Sequence, residues 1–350
     1  MTSLTATTYY TRKAIKYGAI GFAALLILKS ALSLVVGIWR TLNPPPPPAP
    51  KAAFGKLPAI EFPESEFTTD KGLIYQLETI GGGTPNLGDR ANVYFMPAKK
   101  PGLLALDRAN TLATRMGFKE QGQKVTEKIY QWKKDEALIT TLEMDVTTNN
   151  FTIRKNWRED QSLLKDKRLP AEEQAILEVT KFLQAGGLPT EELESNTEIS
   201  YLRFVPPQLV PAVSLSEADF VRVNLFRKNL DDLPVLPPDP KEALVSFLLS
   251  GSRENKKQIL EVNYTFYPIS QETFTSYPIK SSAQAWEELK TGQGFMANLE
   301  KGVKQVTIRK IYLAYFENSL PQEYLQPIYV FEGDNNFIAY VPAITSQWTK

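Results

Sequence analysis

The chain has 350 residues, 40 Lys+Arg against 39 Asp+Glu, and neither histidine nor cysteine. Its length suffices for two or three domains, and a composition 43% hydrophobic and 23% charged is that of a chain that folds. The missing residue types exclude disulfides, thiol nucleophiles, thiolate or imidazole metal sites and a Ser-His-Asp triad.

The near-neutral total joins two unlike parts. Arg12, Lys13, Lys16, Lys29, Arg40, Lys51 and Lys56 precede the first acid, Glu61, so residues 1–60 carry +7 and the remainder −6. A polyanion-binding protein places its positive charge on the folded part, so this pattern argues against nucleic acid as a partner. Residues 17–39 form an apolar run, which as a helix rises roughly 34 Å, enough to cross a hydrocarbon core of about 30 Å. Lys29 in its middle costs about 2.5–3.5 kcal/mol, and the eleven large apolar residues around it return about 3–7 kcal/mol. We therefore expect a transmembrane helix at 17–39 that meets the lipid bilayer, with 1–16 as a cytoplasmic tail, since Arg12, Lys13 and Lys16 outweigh Arg40 and Lys51. A signal peptide, an amphipathic surface helix and a soluble core helix are the competing readings. The first lacks a small-x-small site, the second is interrupted by Lys29 alone, and the third would not precede five prolines. Lys29 is expected to snorkel or to meet a partner helix. Residues 40–57, with Pro44 to Pro48 and Pro50, read as a polyproline stalk, an SH3-type ligand being the alternative.

Beyond the stalk we expect two α+β subdomains, 58–169 and 170–350. The first has a helix over 102–116 stopped by Gly117-Phe118, then strands at 128–132, 137–145 and 151–157. The second opens with a helix after Pro170, with Glu172 and Glu173 in its first turn and Gly186-Gly187 at its end. Strands follow at 201–205, 220–226, 259–268 and 273–279, and 243–249 is read as a hairpin partner of 259–267. Ser281 with Gln284 forms a capping box that starts a third helix, which Gly292 stops. Segments 306–316, 326–331 and 337–343, with a turn at 333–336, form an antiparallel meander under that helix.

The remaining chemistry is sparse. Ser162 with Lys165, and Lys290-Thr291-Gly292, match two fragments of the penicillin-binding set, but the second ends a helix instead of lining a strand edge. Glu143 and Asp145 share a strand face as a glycosidase pair might, although such a pair is usually a solvated sheet edge. Gly81-Gly82-Gly83 reads as a turn. Tyr312, Tyr315, Tyr329 and Tyr340 in the C-terminal strands are the candidate partner-binding residues. They either pack across strands or form an exposed face for a protein or glycan.

Tyr277-Pro278-Ile279, Ala285-Trp286-Glu287-Glu288-Leu289, Ile311-Tyr312-Leu313-Ala314-Tyr315, the run 325–330 and the run 337–343 resemble the YycH/YycI type of regulatory membrane protein. That resemblance implies one N-terminal span and an extracytoplasmic domain of PepSY-like helix-plus-meander units. It implies restraint of a sensor kinase through membrane and extracytoplasmic contacts, with no catalytic residues. The chain is also similar to uncharacterised single-pass proteins of candidate-phylum bacteria. The expectation is a non-enzymatic extracytoplasmic regulatory or scaffolding protein at the cell membrane, contacting a membrane or envelope protein, with no cofactor. A cell-wall or glycan-binding domain and a carboxylate-dependent hydrolase are the alternatives.

Overall fold

The computed structural model describes residues 4–42, 50–64, 72–100, 102–165, 167–193 and 196–350. It has two units, Met1–Ala49 and Pro50–Lys350. In the first, helix α1 (Leu4–Leu42) contains a stretch, Thr11–Trp39, long and apolar enough to cross a membrane. The expected span therefore lies inside a longer helix that also takes in 4–16, most of the segment expected as a separate tail. The side chains described along it, Lys29 among them, are exposed. Of the expected stalk, 43–49 lies outside the described residues.

The second unit is a mixed α+β architecture dominated by sheet. In chain order it begins with β1 (Ile74–Leu77), β2 (Arg90–Phe95), α2 (Ala105–Arg115), β3 (Gln123–Lys124) and β4 (Ile129–Lys134). Next come β5 (Thr140–Asp145), β6 (Phe151–Lys155), α3 (Ser162–Lys165), α4 (Glu172–Gly186), β7 (Asn196–Val205) and β8 (Gln208–Pro211). The middle holds β9 (Phe220–Phe226), β10 (Val235–Leu236), β11 (Val245–Ser250), α5 (Asn255–Gln258) and β12 (Ile259–Tyr264). The chain ends with β13 (Ser270–Pro278), α6 (Ser282–Lys290), β14 (Phe295–Asn298), β15 (Gln305–Phe316), β16 (Tyr324–Gly333) and β17 (Ile338–Pro342).

Two sheets result. A nine-stranded antiparallel sheet runs β3-β4-β5-β6-β12-β11-β9-β7-β8. An eight-stranded sheet has the path β1-β15-β16-β17-β14, with β10 beside β15 and β2 bridging β13 and β16. The division expected at Pro170 falls within the first of these. β6, before it, pairs with β12, after it, with Val262 opposite Ile153. Inward-facing residues of β6 and β12 belong to one core, so a boundary between them would expose both faces.

Local signals explain the helices. The helix α2 ends at Gly117, where φ is +88° and the Phe118 N–H reaches the Ala113 carbonyl at 2.9 Å, burying the Phe118 ring. Gly187 (φ +71°) likewise stops α4. Ala109 and Ala113 of α2 and Ala175, Val179 and Leu183 of α4 pack on one face of the nine-stranded sheet. For α6 the capping box forms in full: Gln284 N–H donates to Ser281 Oγ at 3.2 Å and Ser281 N–H to Gln284 Oε1 at 2.8 Å. Ala285, Trp286 and Leu289 then cover Phe331 and Val341 of the meander β15-β16-β17. Asn335 and Asn336, both at positive φ, make the expected tight turn between β16 and β17. The hairpin between β11 and β12 forms as the sequence suggests.

Residues 50–57, expected in the stalk, instead pack onto the eight-stranded sheet. Leu57 is fully buried, its N–H donates to the Trp348 carbonyl at 2.8 Å, and its carbonyl accepts from Lys350 N–H at 2.9 Å. Tyr277 OH donates to the Gly55 carbonyl, and Gln326 and Asn318 donate to the carbonyls of Pro58 and Glu61. Phe62 stacks on Phe295 with ring centroids 4.8 Å apart. The apolar spacing Ala52, Leu57, Ile60, Phe62 leaves this strap on the sheet surface because those side chains have no other shelter.

Candidate functional site

The C-terminal tyrosines do not form a surface. Tyr315, Tyr329 and Tyr340 are fully buried, and Tyr312 is half-buried. Each hydroxyl is committed: Tyr315 to Asp231 Oδ2 at 2.9 Å, Tyr340 to the Pro237 carbonyl at 3.2 Å, Tyr329 to the Lys280 carbonyl and Tyr312 to Glu332. Burial pushes the Tyr329 hydroxyl pKa up to about 12 and raises those of the other three further. The physical reason is coverage on both sheet faces. Helix α6 and 54–57 lie over one face, and Phe62 and Leu236 over the other. Tyr315, Tyr329 and Tyr340 are packing residues, while Tyr312 keeps a partly exposed ring with its hydroxyl held by Glu332.

Glu143 and Asp145 are engaged as well. Glu143 accepts from Gln131 Nε2 at 2.8 Å, and Asp145 Oδ1 accepts the N–H groups of Thr147 and Thr148 at 2.7 and 3.1 Å, holding the β5–β6 turn. Ser162 donates to Asp160, and Lys290-Thr291-Gly292 ends α6. Among the described residues no group of three or more metal-ligating side chains could hold an ion.

What the structure does assemble lies where the chain passes between the two sheets. Residues 96–99 lead out of β2, 265–269 join β12 to β13, and 321–322 belong to the β15–β16 turn. Together with the β5–β6 turn they enclose a cleft of about 230 Å³. Its floor and walls are Met96, Phe266, Tyr267, Pro268 and Pro321, and Lys99 and Lys128 stand at its mouth. Small-ligand and peptide sites are typically concave, apolar and furnished with a few polar groups, as here.

Lys99 is exposed as a residue, yet its ammonium is tucked against the Thr148 carbonyl at 2.9 Å. Partial burial lowers its pKa, and the nearby Arg108 lowers it further. Among the described residues Lys99, Lys128 and Arg108 form no ion pair. The acid that lines the cleft, Asp145, already serves its turn. The cleft lining therefore carries two lysines against one carboxylate, Asp145, whose hydrogen bonds go to backbone N–H groups.

Behind the cleft sits a buried ionic clasp. Arg227, one residue past β9, donates through Nε to Glu317 Oε1 and Oε2 at 3.1 and 3.2 Å. Its Nη1 pairs with Glu192, and its Nη2 donates to the Tyr267 carbonyl at 2.8 Å. The guanidinium also lies 4.3 Å from the centroid of the Phe266 ring. Burial alone would lower the Arg227 pKa, but the Glu317 and Glu192 carboxylates outweigh it and raise it. Glu317 follows β15, so the clasp fastens one sheet to the other and fixes Phe266 and Tyr267, the two aromatic walls of the cleft. Sequence reasoning missed this group. The acid and the base lie 90 residues apart, and the single available signal was a charge directly following a Val- and Phe-rich strand.

No family model matches this chain, and no curated protein does. Among solved structures the chain is similar to the crystal structure of an uncharacterized protein from Eubacterium rectale. That likeness has a TM-score of 0.38 and 13% identity, covering 80% of this chain and 90% of the other. At that level it carries neither fold nor function across.

Proposed function

We propose that the protein is a single-pass membrane protein, N-terminus inside, whose Pro50–Lys350 unit is a non-enzymatic extracytoplasmic domain. It regulates or scaffolds a membrane or envelope protein by direct contact. The observation that carries this reading is the cleft at the sheet junction. It offers apolar walls and unpaired cations, while its carboxylate is spent on a backbone turn, which is a geometry for holding a partner. The apolar helix α1 supports the anchor, and Arg12, Lys13 and Lys16 support the orientation. Helix α6 over the meander β15-β16-β17 is the element order that resemblance to YycH/YycI proteins implies, and it supports the same reading.

The glycan-binding alternative drew on exposed tyrosines, and the burial of Tyr315, Tyr329 and Tyr340 disfavours it, with Tyr312 alone of the four half-buried. No observation favours the hydrolase alternative. The test is a photo-crosslinking residue placed at Ala98, on the cleft rim, in the full chain in intact membranes. The expected adduct, identified by mass spectrometry, is an integral membrane or envelope protein. Retention on cell-wall polymer with no such adduct would sink the regulatory reading. Protease protection tests topology: digestion of the Pro50–Lys350 unit only after lysis would refute the orientation.

A further inference from the structure

We infer that the junction cleft receives an acidic, apolar peptide segment of the partner, its carboxylates meeting Lys99 and Lys128 while one apolar side chain enters between Phe266, Tyr267 and Pro321. This rests on the protein-contact reading above and adds the chemistry of what is contacted.

Three observations converge. First, about 230 Å³ is the room for one or two side chains, so the occupant enters as a short stretch of chain. Second, the walls are aromatic and proline rings held rigid from behind: Phe266 by the Arg227 guanidinium, and Tyr267 by its own carbonyl on Arg227 and its hydroxyl on Ser319. A rigid apolar wall accepts an apolar side chain with little ordering cost. Third, positive charge outnumbers negative in the cleft lining, with Lys99 and Lys128 against Asp145. Lys99 and Lys128 have no acid partner among the described residues, and Arg108 beside Lys99 adds to the field. An incoming carboxylate removes that repulsion and forms charge-assisted hydrogen bonds, whereas a basic segment worsens it. The surface of the Pro50–Lys350 unit is net acidic, so a basic cleft mouth is a local exception to its own background.

The experiment uses the full chain in nanodiscs of neutral lipid and an array of fluorescein-labelled octapeptides in three classes: Glu/Leu/Phe, Lys/Leu/Phe and Ser/Leu/Phe. Fluorescence anisotropy should show the Glu/Leu/Phe class binding at least tenfold tighter than the other two. Lys99→Glu with Lys128→Glu should weaken that binding about tenfold or more, and Ala98→Trp, which fills the cleft, should abolish it. All three residues are exposed, so the fold tolerates the changes. Lys124→Glu, on the edge strand β3 outside the cleft lining, should leave affinity unchanged. An equal loss in Lys124→Glu would overturn the inference, because bulk charge would then explain binding. Preference for the Lys or Ser class, blocked by Ala98→Trp, would overturn the acidic chemistry and leave the protein-contact reading standing. No binding by any class, with an Ala98 crosslink still formed in membranes, would overturn the cleft as the peptide site and leave that reading intact as well.

Discussion

The two sheets of the Pro50–Lys350 unit are assembled by opposite rules. In the nine-stranded sheet most neighbours are consecutive in the chain: β3 to β6 form a meander, and β7-β8 and β11-β12 are hairpins. In the eight-stranded sheet the meander β15-β16-β17 is the local part, and everything else arrives from far away. β1 pairs with β15 in register Ile74 with Gln305, β2 pairs with β13 and β16, and the strap at 50–62 closes over the chain's last residues. Long-range pairing must overcome more loop-closure entropy before its contacts form. The eight-stranded sheet offsets that cost by burying both faces, and so Tyr315, Tyr329 and Tyr340 have no access to solvent. The nine-stranded sheet is also buried on both faces at its centre, along β11, but it reaches that state mostly through neighbours close in the chain. The cleft lies at the seam between these two constructions, and Arg227 fastens the seam.

Breaking the seam should have the largest effect. Arg227→Ala leaves Glu317 buried without its partner, and we expect a loss of about 3–5 kcal/mol in chemical denaturation of the full chain. Replacing Arg227 by Met together with Glu317 by Leu should cost less, because the fully buried carboxylate is removed with its partner and only the half-buried Glu192 loses a cation. A single-step, unchanged denaturation curve for Arg227→Ala would show that the sheets do not depend on the clasp. Next in size, Leu57→Ala should cost roughly 2–5 kcal/mol, since Leu57 is the fully buried side chain by which the strap holds the sheet. Hydrogen exchange should quicken in β15 to β17 and stay unchanged in β3 to β6. Equal quickening in both would dissolve the contrast between local and long-range assembly. Ser281→Ala removes one half of the capping box and should cost about 1 kcal/mol, read as a lower Tm, with the effect confined to the eight-stranded side.

The smallest effect concerns acid. Hydrogen bonds from Ser162 and Lys257 hold the Asp160 carboxyl below its ordinary pKa of 3.8. A depressed pKa means that the native state binds this proton less readily than the unfolded chain. Its stabilisation is therefore complete above about pH 4 and is lost as pH falls through the lowered native value. Asp160→Asn should flatten the acid limb of stability below pH 4 by no more than about 1 kcal/mol, because the pair is near the surface. An unchanged acid limb in that variant would remove Asp160 from the account.

Legibility followed the range of the interactions. The capping box at Ser281, the glycine stops at 117 and 187, the Asn335-Asn336 turn and the β11–β12 hairpin each depend on residues within a few positions of one another, so they could be read directly. Strands β1, β2, β3, β8, β10 and β14 escape the sequence reading: β3 and β8 because they are only two and four residues long, the others because their partners lie elsewhere in the chain. The cleft was invisible for the same reason: Lys99, Lys128, Phe266 and Pro321 share no spacing or pattern. The division at Pro170 failed because a helix start is a local event and a sheet boundary is not.

The sequence by itself determined the apolar, base-flanked N-terminal helix, the chemistry ruled out by having no histidine or cysteine, and the helices and hairpins whose signals are local. Only the tertiary structure decided that Tyr315, Tyr329 and Tyr340 are core, that 50–57 is a strap and not a stalk, and that five separate turns and crossings meet in one cleft with Lys99 and Lys128 in its lining. Burial and juxtaposition depend on which distant strands pair, and that pairing is a property of the whole chain.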